Sequence, residues 1–216
     1  MKKLKSLSEQ VYDYIVSQIK LGNLPDGSHL SEAELIEQLK ISRTPIREAL
    51  IQLSADGIVQ NVQRKGFFVK APTRQALIDN YNIIARLDIY AAELTMDILS
   101  EKDLKQMETL AHHMDFAIAQ QDYDLYLEKQ EAFHNTYLLQ CNNQHLADMI
   151  HHLLKKYIPP VAGYDASSLF QSLEESNKMH HQIAACFREK NLDHLGKILV
   201  AYWLSVANQS DTALEC

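Results

Sequence analysis

The chain is poor in the residues that break, staple or anchor a fold. Among 216 residues there are five prolines, six glycines, three cysteines and one tryptophan. Cys141, Cys186 and Cys216 are odd in number and too far apart for a CxxC pattern, which argues against a disulfide framework or a cysteine zinc module; reduced thiols are the expectation. No 18-residue apolar run occurs, and the leading MKKLKSLSEQ has basic residues with no hydrophobic segment after them. Neither a membrane span nor a secretory signal is expected, and the cytoplasm is the expected location. There is also no HExxH, no phosphate-binding glycine loop and no serine-nucleophile motif, so no enzyme is expected.

The scarcity of helix breakers is uneven. From Thr73 to Gln209 the only prolines are Pro159 and Pro160 and the only glycines Gly163 and Gly196. Charge divides at the same place. Residues 1–71 carry ten Lys/Arg against eight Asp/Glu, whereas residues 72–216 carry eleven against twenty, so the net −7 is +2 in the first part and −9 in the second. A nucleic-acid surface is therefore expected only in the first part. The division predicts a domain over 1–71, a linker over 72–74 around Pro72-Thr73, and a second domain over 75–216.

Residues 31–69 carry the most specific pattern. Ser31 followed by Glu34 has the spacing of a capping box, and Leu35 and Leu39 share a face of the helix it would open. Pro45 predicts a second helix with Thr44 as N-cap and the proline as its first residue. Ile46, Ala49, Leu50 and Leu53 then fall at i, i+3, i+4 and i+7, a buried stripe. Asp56-Gly57 ends that helix, and the β-prone runs Ile58–Val62 and Phe67–Val69 flank a basic tip of Arg64, Lys65 and Gly66. This is the order of a winged helix-turn-helix. Ser42, Arg43, Thr44 and Arg47 would project from the helix start into a major groove, where a guanidinium fork matches guanine O6/N7 or phosphate oxygens. The tip suits the neighbouring minor groove or its phosphates.

Residues 7–70 resemble the DNA-binding domain of the GntR family of bacterial transcription regulators. The resemblance rests on VYDYIVSQIKLGNL, PDGSHLSEAELIEQL, ISRTPIREALIQLSADGIV and the wing glycine. It implies that Arg43, Thr44, Arg47, Lys65 and Gly66 touch DNA. Lys40 stands where the family usually has glycine, and a left-handed backbone there would cost about 1 kcal/mol. Ala33 stands where some relatives carry an arginine, so one contact is expected to be missing.

The second part reads as an antiparallel bundle of six or seven helices, making the fold mainly α. Ile83, Leu87, Tyr90, Ala91 and Leu94 mark one helix face; Leu104, Met107, Leu110, Ala111 and Met114 mark another. Further helices are expected near 123–140, 145–157, 169–188 and 192–207, with a loop at 158–168. RLDIYAAEL, EAFHNTYLLQCNNQHL and HHQIAACFREKNLDHLGKIL resemble the FCD ligand-sensing domain of the FadR-like GntR branch over about 75–205. Many such domains hold a divalent metal with an Asp, a His four residues on, and two further His. By this resemblance His134 and His180 occupy two of the four places, but Gln130 and Tyr202 occupy the others. Two imidazoles with a neutral carboxamide and a phenol make a poor closed site, so a bound divalent metal is disfavoured though not excluded, and no other cofactor is expected. Glu131 and His181 lie one position round their helices, about 100° away.

By the same resemblance Arg86, Gln130, His134, His180 and Tyr202 would converge inside the bundle. They would either bind a small anionic effector such as a carboxylate or form a hydrogen-bonded network with no ligand. His112, His113, His151, His152 and His194 are expected at the surface. The expectation is a homodimeric regulator, usually a repressor in this family, binding a near-palindromic double-stranded operator under effector control. The competing expectation is a DNA-binding dimer whose bundle senses nothing.

Overall fold

A computed structural model describes residues 5–70, 72–156 and 166–212. Ala71, Cys216 and the 158–165 part of the expected loop lie outside the described residues. Two compact units emerge, one built on the described residues up to Thr73 and the other on those of 74–154 and from 166 onward.

The first unit runs α1 (Leu7–Lys20), β1 (His29–Leu30), α2 (Glu32–Leu39), α3 (Arg43–Ala55), β2 (Val59–Val62) and β3 (Gly66–Val69). Ser6 and Glu9 form a reciprocal capping box on α1. At α2 the Ser31 hydroxyl accepts the Glu34 amide at 3.3 Å. The helix stops at Lys40, which takes the left-handed conformation (φ 56°, ψ 32°) that the missing glycine would have taken freely. The start of α3 differs from the expectation. Ser42, extended at φ −65° and ψ 162°, is the N-cap; Arg43 is the first helical residue, and Thr44 and Pro45 lie within the first turn. Proline is tolerated there because the first four amides of a helix have no intrahelical acceptor, so its missing N–H forfeits nothing.

Ile46, Ala49, Leu50 and Leu53 are all buried, as their spacing predicts. They pack with Val11 and Ile15 of α1, Leu35 of α2, and Val59, Phe67 and Val69 of the hairpin. Each large side chain so placed contributes about 1.5–3 kcal/mol. The strands form one antiparallel sheet in the order β1-β3-β2, with Val62 opposite Gly66 and His29 opposite Phe68. β1, only two residues long, is an addition to the sequence reading.

The second unit has six helices among the described residues: α4 (Arg74–Thr95), α5 (Glu101–Ala119), α6 (Tyr123–Leu138), α7 (Gln144–Lys156), α8 (Ala166–Glu189) and α9 (Leu192–Thr212). The last three positions of the expected 158–168 loop open α8 instead. On α5, Met107, Ala111 and Met114 are buried as expected. On α4 the expectation needs correcting, because Ala91 alone of the expected face is buried. The buried stripe is Leu77, Tyr81, Ile84, Asp88, Ala91, Ala92 and Thr95, while Ile83 and Tyr90 are exposed. The helix carries two apolar stripes, and spacing alone does not say which one meets the bundle.

Candidate functional site

The exposed end of α3 gathers Ser42, Arg43, Thr44 and Arg47 within little more than one helical turn, all solvent-facing, while the opposite face is locked into the core. The Ser42 hydroxyl makes no capping bond, so it and the positive end of the helix dipole face solvent together. Arg43, 71% exposed, lies 3.7 Å from a Glu32 carboxylate oxygen, a loose surface pair that is cheap to exchange for a phosphate. Arg64 and Lys65 are exposed at the tip of the hairpin, where the Lys65 amide donates to the Val62 carbonyl at 2.9 Å. Arg64 is left-handed at φ 63° and Gly66 follows at φ 97°; a Cβ on Gly66 would stand 3.0 Å from His29 Nε2. The glycine thus serves both the turn and the close passage of β1.

Within the second unit, Gln130, His134, His180 and Tyr202 do come together. The Gln130 amide donates to the Tyr202 hydroxyl. His134 Nε2 and His180 Nε2 are 3.3 Å apart, and the His180 and Tyr202 rings meet edge to face at 4.7 Å. Arg86 does not join them. It is exposed, beside a surface groove bordered by Glu93, Asp193 and Lys197, because it stands two residues, about 200°, from both Ile84 and Asp88 on α4. The buried face presents Asp88 instead. Its two carboxylate oxygens accept from the Tyr137 hydroxyl at 2.6 Å and from the Trp203 indole at 2.8 Å. Sequence reading missed all three residues. The signal was a lone acid in the spacing of an otherwise uncharged stripe.

Hydrogen-bond accounting assigns the protons. Tyr137 gives its proton to Asp88, so at 2.9 Å from His134 Nδ1 it accepts, and His134 carries its proton on Nδ1. His134 Nε2 is then bare, and His180 Nε2–H donates to it. That leaves His180 Nδ1 a bare lone pair, and Nδ1 is the His180 atom without a partner. Every proton in the chain points towards Asp88. Burial pushes His180 and His134 below the usual histidine range, His134 against the opposing pull of Asp88, so both stay neutral. Burial likewise drives the Tyr202 and Tyr137 hydroxyls well above their usual range.

This donor set does not fit the divalent metal that the sequence resemblance implies. A closed site would need further ligands beside the two imidazoles, and Gln130 offers only a neutral carboxamide, engaged with the Tyr202 hydroxyl. Asp88 lies on the Nδ1 side of His134, 3.7 Å away, and Tyr202 resists ionisation.

Comparison with known proteins places these features. Residues 7–69 match the model of bacterial regulatory proteins of the gntR family, and residues 79–203 match the FCD domain. The chain belongs to the GntR family and carries an FCD domain. An HTH-type transcriptional regulator of Escherichia coli K12, McbR, is 25% identical over 186 residues, covering 86% of this chain and 84% of McbR. YdhC of Bacillus subtilis 168, another HTH-type regulator, is 28% identical over 145 residues, 67% of this chain; the match spans 65% of the length of YdhC. The solved structure of E. coli McbR/YncC shares the fold, with a TM-score of 0.76 at 22% identity over 95% of this chain and 99% of that one. This GntR protein is a DNA-binding transcriptional regulator and not an enzyme. No helix among its described residues is long and apolar enough to cross a membrane.

Proposed function

We propose that this regulator acts as a homodimer in the cytoplasm, where its operator lies, and represses by occupying a near-palindromic site. Each α3 enters one major groove through Ser42, Arg43, Thr44 and Arg47, and each wing follows the adjacent backbone through Arg64, Lys65 and Gly66. The observation that carries this reading is the split character of α3, with four groove-competent side chains exposed at one end and its apolar stripe buried. Support for a dimer comes from the second stripe of α4. Ile83, Leu87, Tyr90 and Leu94 recur at i, i+4, i+7 and i+11, and Ile83 and Tyr90 are half exposed or nearly so.

Effector control is the second element. Tyr126 Oη and His180 Nδ1 are buried without partners, and both groups neighbour Tyr202, so a small polar molecule opening the cluster has a donor and an acceptor to satisfy. The carboxylate expectation loses its motive with Arg86 outside, since the charged group inside is Asp88. The competing reading, a bundle that dimerises and senses nothing, is supported by the close packing of these rings. Selection of bound fragments from genomic DNA by the full chain tests the DNA reading. Arg47→Ala or Arg43→Ala is expected to weaken the selected site by about 1–3 kcal/mol each if they read bases. Unchanged binding in the double variant would remove α3 as the reader. Thermal shift of wild type against small polar metabolites separates the two readings of the bundle.

A further inference from the structure

We propose that His112, Asp115 and His181 form a binding site for a divalent transition-metal ion of the zinc class on the outer face of the helical unit, separate from the buried cluster. His112 and Asp115 stand three residues apart on α5 and so share a face, and His181 reaches them from α8. Asp115 Oδ2 lies 3.4 Å from His112 Nδ1 and 2.9 Å from His181 Nε2, and one ligand atom from each of the three residues lies within 4.8 Å of the other two. Ligand atoms about 2.0–2.1 Å from a tetrahedral zinc stand about 3.3 Å from one another. Two edges of such a tetrahedron are therefore nearly in place, and the third closes by turning His112, whose side chain is 72% exposed.

A second observation separates this cluster from an ordinary surface ion pair. Asn177, 1% exposed, donates its Nδ2 to Asp115 Oδ1 at 2.6 Å and to the Ala111 carbonyl at 3.0 Å. Two acceptors fix the amide, and the amide holds the carboxylate with Oδ2 turned to the imidazoles, the arrangement that orients a metal-bound carboxylate. One histidine would complete a surface pair. Here two rings from different helices, 5.0 Å apart, converge on one oxygen, and protonating both would set two like charges side by side. Two imidazoles, one carboxylate and open water positions suit zinc and its late first-row neighbours better than calcium or magnesium. On α8 the neighbouring His180 points about 100° away into the core, so the two histidine pairs are distinct in space.

The test is Zn²⁺ titration of the full chain at pH 7.5, purified without a polyhistidine tag, by calorimetry and by thermal unfolding. One equivalent per chain and a raised melting temperature are expected for wild type. Both should disappear in His112→Ala and in Asp115→Asn, while the metal-free melting temperature of these surface variants stays near that of wild type. Co²⁺ in place of Zn²⁺ should give a visible absorption band that His181→Ala abolishes. No uptake by wild type overturns the proposal. So does uptake of the same stoichiometry and affinity in the His112→Ala/His181→Ala double variant, which would move the ion elsewhere in the chain. DNA binding enters none of these readouts, so they stand whether or not the proposed operator recognition is correct.

Discussion

Asp88 is the terminus of the hydrogen-bond chain that runs through His180, His134 and Tyr137, and also accepts from Trp203, which makes its replacement a test of the proton assignment as well as of stability. In Asp88→Ala both acceptors vanish. The Trp203 indole N–H, 3% exposed, is left with none at a cost of about 1–3 kcal/mol, and two bonds to a charged group are lost with it. A total of about 3–5 kcal/mol is expected. Asp88→Asn separates the terms. Its amide oxygen can keep Trp203, but its NH₂ must then donate to the Tyr137 oxygen. Tyr137 can only turn its proton to His134 Nδ1, His134 shifts its own proton to Nε2, and His180 moves its proton to Nδ1, the atom with no partner. One stranded donor replaces one stranded acceptor, so a loss of about 1–3 kcal/mol is expected. Urea unfolding followed by Trp203, the one tryptophan in the chain, reads the stability of this region directly. Nitrogen-15 shifts of the two histidines read the tautomers. If Asp88→Asn leaves both tautomers as in wild type, or Asp88→Ala unfolds no more easily than Asp88→Asn, the directed chain is wrong.

The same cluster predicts acid sensitivity: burial lowers the folded pKa of His180 and His134, so below the unfolded value near 6.5 the unfolded chain binds more protons and stability falls as pH drops, by at most about 1.4 kcal/mol per pH unit for each group. Urea midpoints measured from pH 8 to pH 5 should decline, and a flat profile would contradict neutral buried imidazoles. Gly66→Ala should cost about 1–2 kcal/mol from the positive φ alone; His29→Ala should relieve the added contact but not that strain, as thermal melts of the single and double variants will show. Ile83→Glu with Tyr90→Glu places two charges on the outer stripe of α4 and should yield a folded monomer in sedimentation, with a dimer of unchanged affinity arguing for another interface.

What the sequence made legible followed from amphipathic order. The stripe Ile46, Ala49, Leu50 and Leu53 admits only one buried face because the facing positions are Arg47, Glu48 and Gln52, so α3 and its exposed arginines could be placed without coordinates. α4 lacked that contrast. With Ile83, Leu87 and Tyr90 on one side and Leu77, Tyr81 and Ile84 on another, either face was apolar enough to be the core, and the reading took the one that is exposed. Arg86 was carried inward by the family resemblance, and with the buried stripe of α4 unmarked Asp88 went unnoticed. The start of α3 was misplaced for a different reason: Pro45 fixes only its own φ and its neighbour's preference, and any place in the first turn satisfies both the ring and the missing amide.

The proton order inside the bundle also bears on what a ligand there would have to do. An effector changes operator affinity only if it prefers one arrangement of the protein over another. The cluster as packed offers two unpartnered atoms, His180 Nδ1 and Tyr126 Oη, while Gln130 is bonded to Tyr202, and His180 Nε2, His134, Tyr137, Trp203 and Asp88 are bonded in the chain. A molecule that donates to His180 Nδ1 completes the chain in its existing direction and leaves the tautomers alone. One that accepts there forces the His180 proton to cross the ring, and with it the reversal of His134 and Tyr137, so that the Tyr137 oxygen and Asp88 Oδ1 face each other as two acceptors with no proton between them. Donor-bearing ligands should therefore stabilise the unit while acceptor-only isosteres of the same size do not, a contrast visible by thermal shift with imidazole-sized amines and their aprotic analogues. Equal shifts for both classes would mean that binding, if it occurs, does not run through His180.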